Sequence, residues 1–289
     1  MRRFRFLPAS PTLGCLPLTA TRPLETFPIG NLPLKDHQLR ALAGPWAPSG
    51  PVEVYPHAWL EADDVAAFMA DAQASALVDG QGAELLLRPG ATGTPRVAVH
   101  SFLIRFAWDL LVANERALKA RTDWTNQGDC HASLYVDGRL SVGAGTRILP
   151  GVVIEGDVVI GAGCKVGPNC YLRGATAIGD GCHVGQAVEL KNSVLLAKTN
   201  VGHLSYVGDS ILGEKVNFGA GTIVSNLRHD GQAHRSMVEG ALVNTGRRKF
   251  GAIVGDGVHT GIHTSIYPGR KIWPGLTTRP ADVVARDLI

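Results

Sequence analysis

Aliphatic residues recur at every sixth position through the middle of the chain, at Val136, Val142, Ile148, Ile154, Ile160, Val166, Leu172, Ile178, Val184, Leu190 and Leu196. A second, smaller set follows four residues behind: Thr146, Val152, Val158, Cys164, Cys170, Thr176, Cys182, Val188 and Val194. A period of six with two inward positions and frequent turn glycines is neither helical nor simply alternating. It specifies a hexapeptide parallel β-helix, in which three hexapeptides make one triangular coil of about 18 residues. The register resumes at Leu212, Phe218 and Val224, and again at Val254, Thr260, Ile266 and Ile272. Two departures interrupt it. Leu196 and Tyr206 are ten positions apart where six would continue the repeat, which predicts a bulge of about four residues carrying His203. Between Asn226 and Phe250 a glycine-rich, basic segment leaves the repeat altogether. A structural repeat gains nothing from such departures, so function is expected there.

The chain before the repeat has a different pattern. Residues 1 to about 45 are rich in proline and leucine and predict an irregular loop, then a short helix from near Pro33. A helical run within 57–78 has Asp63 and Asp64 in its first turn, where the helix dipole favours acidic side chains; they are expected to be solvated. The stretch 96–118 predicts a short alternating strand and then a helix with Trp108, Leu111 and Leu118 on its apolar side, and with Asp109 and Asn114 in local helix-start and packing roles. The expected organisation is a smaller α/β region over 1–125 and a β-helix over 126–289.

Composition narrows the function. The 289 residues are 45% apolar with a net charge near +3, too weakly basic to imply nucleic acid, though compatible with phosphorylated ligands. No run approaches the roughly 20 apolar residues of a membrane span. The basic start Met1-Arg2-Arg3 before Leu13-Gly14-Cys15 faintly suggests a secretory signal, but Pro8, Pro11 and Pro17 break any apolar core, so a cytoplasmic protein is expected. Five cysteines without framework spacing point to free thiols, and Cys164, Cys170 and Cys182 fall on inward positions of the repeat, where they pack.

Some residues break the rule of the repeat. Glycine usually follows the aliphatic position, as at Gly143, Gly161, Gly167, Gly179 and Gly185, yet Arg173 and Lys191 stand there instead, 18 positions apart. They should stack on one corner of neighbouring coils. Like charges held together make sense around an anion such as a sugar phosphate, unless Glu155 and Glu189 neutralise them. His203, with Ser205, Tyr206 and Asp209 close by, supplies an imidazole able to take a proton near neutral pH. The basic groups Arg247, Arg248, Lys249, Arg270 and Lys271 could meet phosphates, or line an ordinary solvated loop.

Two resemblances add to these readings. The segment VELKNSVLLAKTNVGHLSYVGDSILGEKVNFGAGTIVSN resembles the acetyltransferase half of the bifunctional N-acetylglucosamine-1-phosphate uridyltransferase / glucosamine-1-phosphate acetyltransferase family. The tail RRKFGAIVGDGVHTGIHTSIYPGRKI is similar to archaeal-type members. Together they cover roughly residues 170–275. The resemblance implies left-handed coils, a homotrimer with sites between subunits, acetyl-CoA as co-substrate and an amino-sugar 1-phosphate as acceptor, with no nucleic-acid or membrane partner. It implies that His203 is the general base, that Arg173 and Lys191 hold the sugar phosphate, that Tyr206 and Asn217 lie against the sugar, and that Asn226 sits near the reacting amine. Backbone groups around Ala220 would lie along the acetyl-CoA path; apart from the resemblance, the basic Arg270 and Lys271 could meet the phosphates of coenzyme A or line an ordinary solvated loop. Where the bacterial family has Asn-Tyr-Asp-Gly, this chain has Asn226-Leu227-Arg228-His229-Asp230-Gly231, which leaves the aromatic partner open.

The N-terminal region resembles the opening of sugar-phosphate nucleotidyltransferases at Pro28-Ile29-Gly30-Asn31-Leu32-Pro33, and Phe-Ala-Trp-Asp-Leu-Leu-x-x-Asn is similar to the link between their domains. Ala9-Ser10-Pro11-Thr12-Leu13-Gly14 stands where a glycine-rich phosphate loop should be, and Leu24 where a lysine should be. Without those donors a triphosphate is not held. A shortened, degenerate and inactive nucleotidyltransferase region is therefore expected. Two other readings compete: a non-catalytic scaffold or regulatory subunit, which would have no use for the charged and aromatic site residues, and a zinc enzyme using His229, His234, His259 and His263. The second lacks a matching histidine one coil earlier, so no metal is expected.

Overall fold

The computed structural model describes residues 4–9, 12–46 and 50–289; the basic start Met1-Arg2-Arg3 and the Ser10-Pro11 step of the expected loop lie outside the described residues. The chain forms two compact units. The first comprises the chain up to Thr12, Arg22–Pro28 and Leu32–Phe106. Its five-stranded mixed sheet runs in the order Phe4–Phe6, Val52–Val54, Glu84–Leu87, Ala76–Val78 and Arg96–Val97. Val52, Val54, Leu77, Leu85 and Leu86 from the sheet pack with Val65 and Phe68 of one helix and Ala41 of another. These helices are α1, Leu34–Ala41, and α2, Ala62–Ala70.

The sequence expectation for α2 needs one correction. Asp64 is not solvated but 5% exposed, because its carboxylate accepts hydrogen bonds from the backbone amides of Val99, His100 and Ser101 at 2.8, 2.8 and 2.5 Å. A carboxylate spanning three successive N–H groups ties a loop that would otherwise leave buried donors unpaired.

The second unit contains Leu13–Thr21, Ile29–Asn31 and Ala107–Ile289. It opens with α3, Asp109–Ala120, whose Leu110, Leu111 and Leu118 are buried. Asn114, 1% exposed, accepts from the Gly30 amide at 2.9 Å and donates to the Ala175 carbonyl at 2.8 Å, a packing role and not a chemical one. Beyond α3 the chain winds as a left-handed parallel β-helix with three faces. The first face stacks 129–130, 147–148, 165–166, 183–186, 200–203 and 217–218. The second stacks 153–155, 171–173, 189–191, 206–208, 223–224, 265–266 and 283–284, and the third 158–160, 176–178, 194–195, 211–212, 253–254 and 271–272. The inward aliphatic and small residues form one continuous core from Val142 to Val284. Each fully buried Val, Leu or Ile in it contributes on the order of 1.5–3 kcal/mol of transfer free energy. At the corner crossed by the long strands Tyr135–Val142 and Val153–Ile160, a Cβ on Gly138 (φ 139°) would sit 2.1 Å from the Gly156 carbonyl oxygen, so only glycine lets the coils close there.

The coil length corrects the expected bulge. Tyr171 pairs with Glu189, 18 positions on, but Glu189 pairs with Tyr206 and Tyr206 with Ile223, each 17 positions on. The coils therefore contract by one residue; they do not swell by four. The inward residues after Leu190 are Leu195, Val201, Val207 and Leu212, not Leu196 and Tyr206. Leu196 is itself buried, which made the sixfold count appear to continue one position too long. The missing residue falls twice at the corner between the second and third faces, in Lys191-Asn192-Ser193 and Gly208-Asp209-Ser210. There Asn192 (φ 48°) and Asp209 (φ 49°) take the left-handed conformation that Asn and Asp tolerate best among non-glycine residues. The second departure is real: Ile223 pairs with Ser265, 42 positions on, and the extra chain folds into an antiparallel hairpin, Arg235–Val238 with Ala241–Asn244.

Candidate active site

The second face has two corners, and the candidate residues divide between them. His203 ends the 200–203 strand at the corner leading into this face, aligned with Gln186 of the preceding coil. It stays in the wall: its carbonyl accepts from Gly221 N at 3.1 Å, and Leu204 N reaches back to Gln186 O at 2.9 Å. The side chain is exposed, and among the described residues its imidazole has no hydrogen-bond partner. His183, a residue that the sequence reading passed over, lies close enough to feel it: burial first, and then the charges of Lys165 and His203, push the His183 pKa down. The next coil puts Ala220 and Gly221 on the same corner, with the Ala220 carbonyl accepting from His263 N at 2.8 Å.

At the far end of the same face the register aligns Glu155, Arg173, Lys191 and Gly208 in one outward row. The expected stacking of Arg173 beside Lys191 is present. Their charges, however, are met within the row and its neighbours. Arg173 donates through Nε and Nη2 to Glu189 Oε1 at 2.9 and 2.6 Å, while Glu155 turns instead to the Tyr171 hydroxyl. Lys191 Nζ donates to Asp209 Oδ2 at 3.0 Å. The guanidinium of Arg173 also lies over the Tyr171 ring, 5.2 Å from its centroid.

Asp209 is the hub of this corner, with a side chain only 3% exposed. Its Oδ2 also accepts from Asn226 Nδ2 at 2.6 Å, and its Oδ1 from Asn192 Nδ2 at 3.0 Å. The Arg247 guanidinium lies 3.9 Å from Oδ1 and donates at 2.7 Å to Glu115 Oε1 of α3, which Asn192 also reaches at 2.8 Å. A buried carboxylate with this many donors is compensated, not orphaned. Glycine at 208, where the row otherwise carries Arg and Lys, makes room: a Cβ there would fall 2.5 Å from both Tyr206 Oη and Asn226 Nδ2. Burial first, and then the carboxylates of Glu189 and Asp209, raise the pKa of Tyr206 and keep its phenol protonated.

The structure thus brings Arg173, Lys191, Tyr206 and Asn226 together, with His203 three residues before Tyr206. Asn217 stands on the first face, exposed, aligned with Asn200 and bridged to His259. Arg270 and Lys271 do not share the Ala220 corner, since they lie at the start of the third face. Lys271 is 1% exposed, and burial pushes its pKa down against the pull of Asp287 and Cys15. The expected contact of its ammonium with coenzyme A phosphates is not open to a side chain so enclosed. Arg270 is turned to the Pro268 and Arg235 carbonyls, each at 3.3 Å. Among the described residues, no group of three or more His, Cys, Asp or Glu is arranged to hold a metal ion.

Sequence reasoning missed Asn192, Glu115 and Arg247 as partners of the hub. The residue type of Asn192, which tolerates a left-handed turn, was the available signal; nothing in the pattern of α3 marks Glu115.

Known proteins match the β-helical part of the chain. The family model of the GMPPB C-terminal domain matches residues 154–274. A bifunctional sugar-1-phosphate nucleotidylyltransferase/acetyltransferase of Sulfurisphaera tokodaii is 40% identical over 181 residues, 63% of this chain and 45% of the relative. A bifunctional protein GlmU of Methanococcus aeolicus is 42% identical over 166 residues, 57% of this chain and 40% of the relative. The chain therefore spans less than half the length of these curated relatives. Among solved structures, the acetyltransferase domain of PglB from Neisseria gonorrhoeae aligns over 66% of this chain and 69% of its own, with a TM-score of 0.27 and 16% identity, a likeness too low to bear on function. Over the stretch it matches, the chain is similar to bifunctional sugar-1-phosphate nucleotidylyltransferase/acetyltransferases and to bifunctional GlmU proteins.

Proposed function

We propose that this protein is an acetyl-CoA-dependent N-acetyltransferase acting on an amino-sugar 1-phosphate, glucosamine 1-phosphate or galactosamine 1-phosphate. The observation that carries the reading is the second face: an exposed imidazole at one corner, and at the other Lys191 and Asn226 held by Asp209, with Arg173 and Tyr206 beside them. A scaffold would gain nothing from a compensated cationic corner beside an unengaged histidine.

The chemistry follows from the residue types. The neutral amine attacks the thioester carbonyl carbon, a C–N bond forms, and the C–S bond breaks to release the coenzyme A thiol. His203 accepts the proton that the amine loses as the tetrahedral intermediate forms. Backbone N–H groups near Ala220 would meet the oxyanion. Arg173 and Lys191 would hold the phosphate by exchanging part of their bonds to Glu189 and Asp209 for bonds to phosphate oxygens. Asn226, fixed by Asp209, and Tyr206, fixed over Gly208, would orient the sugar, with Asn217 reaching it from the first face. Acetyl-CoA would run along the Ala220 corner. The active form is proposed to be a homotrimer with sites completed between subunits.

The first unit is proposed to have no nucleotidyltransferase activity. Thiol release from acetyl-CoA in the presence of glucosamine 1-phosphate or galactosamine 1-phosphate tests the main reading. Turnover on one of them supports it, and absence of turnover on any amino-sugar phosphate by correctly assembled protein overturns it.

A further inference from the structure

The inserted segment builds two adjoining cavities that the proposed acetyl transfer does not use. One, of about 610 Å³, is lined by Arg228, Arg235 and Arg270 together with Gln232 and Asn244. The other, of about 510 Å³, is lined by Leu227, His229 and Asp230. Arg228, Tyr267 and Pro268 border both, so the two form one groove with a shared wall. The groove lies beyond Asn226, at the corner between the second and third faces, whereas His203 and Ala220 lie at the corner that opens the second face.

The two halves differ in chemistry. In the larger, Arg270 is oriented by the Pro268 and Arg235 carbonyls, which fix a guanidinium without cancelling its charge; Asp287 approaches it only to 3.9 Å. Arg228 is offset by Asp230, its Nε lying 2.9 Å from Oδ1. The Arg235 side chain has no ion pair among the described residues. Among the described residues the unpaired charge of the groove rests on Arg235, while Arg270 keeps only a 3.9 Å pair with Asp287, and the planar forks of both side chains suit phosphate oxygens. In the smaller half, Tyr267 and Leu227 are 53% and 46% exposed around Pro268, an aromatic and apolar platform left open to solvent. A sugar phosphate has no flat apolar part to cover that platform. A nucleotide has both parts.

We infer that this groove is a binding site for a nucleoside diphosphate group, with the phosphates on Arg235 and Arg270 and the base against Tyr267, and that it is separate from the acetyl-transfer site. The group could come from a free nucleotide or from a larger molecule that carries one.

Titration calorimetry on the full chain with uridine diphosphate, adenosine diphosphate, inorganic pyrophosphate and coenzyme A tests the inference without any acetyl transfer, so its failure is distinct from failure of the proposed function. At least one nucleoside diphosphate is expected to bind, more weakly as salt rises. Arg235→Ala should weaken it about tenfold or more, the loss of one charge-assisted contact, and Arg235→Lys should recover part of that. Tyr267→Ala should weaken the nucleotide while leaving pyrophosphate unchanged. Retained melting temperature and circular dichroism establish that the variants fold. No nucleotide binding, or binding indifferent to Arg235→Ala, overturns the site. Coenzyme A binding with the same dependence on Arg235, and displacing the nucleotide, would assign the groove to the acetyl donor and overturn its separateness.

Discussion

Lys191 Nζ donates to Asp209 Oδ2 at 3.0 Å, joining two coils at the corner where each has lost one residue from the repeat. An 18-residue coil would place a different side chain in the turn. The contraction puts Asp209, at φ 49°, between Lys191 and Asn226, where its carboxylate accepts from both.

Removing that carboxylate should therefore do two things. Asp209→Ala leaves the largely buried Lys191 and the Asn226 amide without their acceptor, and should destabilise the fold by about 3 kcal/mol. It should also raise KM for the amino-sugar phosphate, because Lys191 and Asn226 lose their orientation. Urea denaturation and steady-state kinetics measure the two effects. Adding Lys191→Met to Asp209→Ala should restore part of the stability but not the KM, since the pair is coupled in folding and both members are proposed to serve binding.

Acid should also lower stability through Asp79. Burial alone would push the Asp79 pKa up, but the Arg105 guanidinium, 2.7 Å away, and the amides of Ala83, Leu103 and Gln81 outweigh it and hold it at about 2. A folded pKa below the unfolded one gives stability that is present above about pH 4 and is lost as pH falls through about 2, where the unfolded chain has taken up the proton first. Wild-type protein should thus lose stability steeply between pH 4 and 2. Asp79→Asn should be less stable at neutral pH and show a flatter profile in that window. Equal slopes for both proteins in denaturation at stepped pH would contradict the assignment.

The first unit should not transfer nucleotides. The resemblance to sugar-phosphate nucleotidyltransferases puts Ala9-Ser10-Pro11-Thr12-Leu13-Gly14 where a glycine-rich phosphate loop would be, and Leu24 where a lysine would be. Incubation with UTP and a sugar 1-phosphate should release no pyrophosphate above the uncatalysed background; release proportional to enzyme would refute this.

How much of this could be read beforehand depends on the kind of interaction. The inward series from Val142 to Leu190 gave the β-helix, because a stacked core repeats its chemistry at every coil. The same regularity misled at Leu195-Leu196, where two adjacent buried leucines hide a one-residue loss and make it resemble an insertion. Arg173 above Lys191 was legible from an 18-residue spacing alone. Their partners were not: Glu115 and Arg247 converge on this corner from an α-helix and from an inserted segment, distances in sequence that no local pattern encodes. Lys271 shows the reverse failure. Its basic character suggested a surface phosphate ligand, yet its position on the third face buries it beside Asp287.

The central claim is that the His203 imidazole takes the proton from the attacking amine, and the most direct measurement is the rate of acetyl transfer by His203→Ala at saturating acetyl-CoA and amino-sugar phosphate. The account predicts a fall in kcat of about 10²–10⁴-fold, with little change in KM for the sugar phosphate, whose phosphate is proposed to be held at the opposite corner of the second face. A His203→Ala enzyme that keeps wild-type kcat would contradict it.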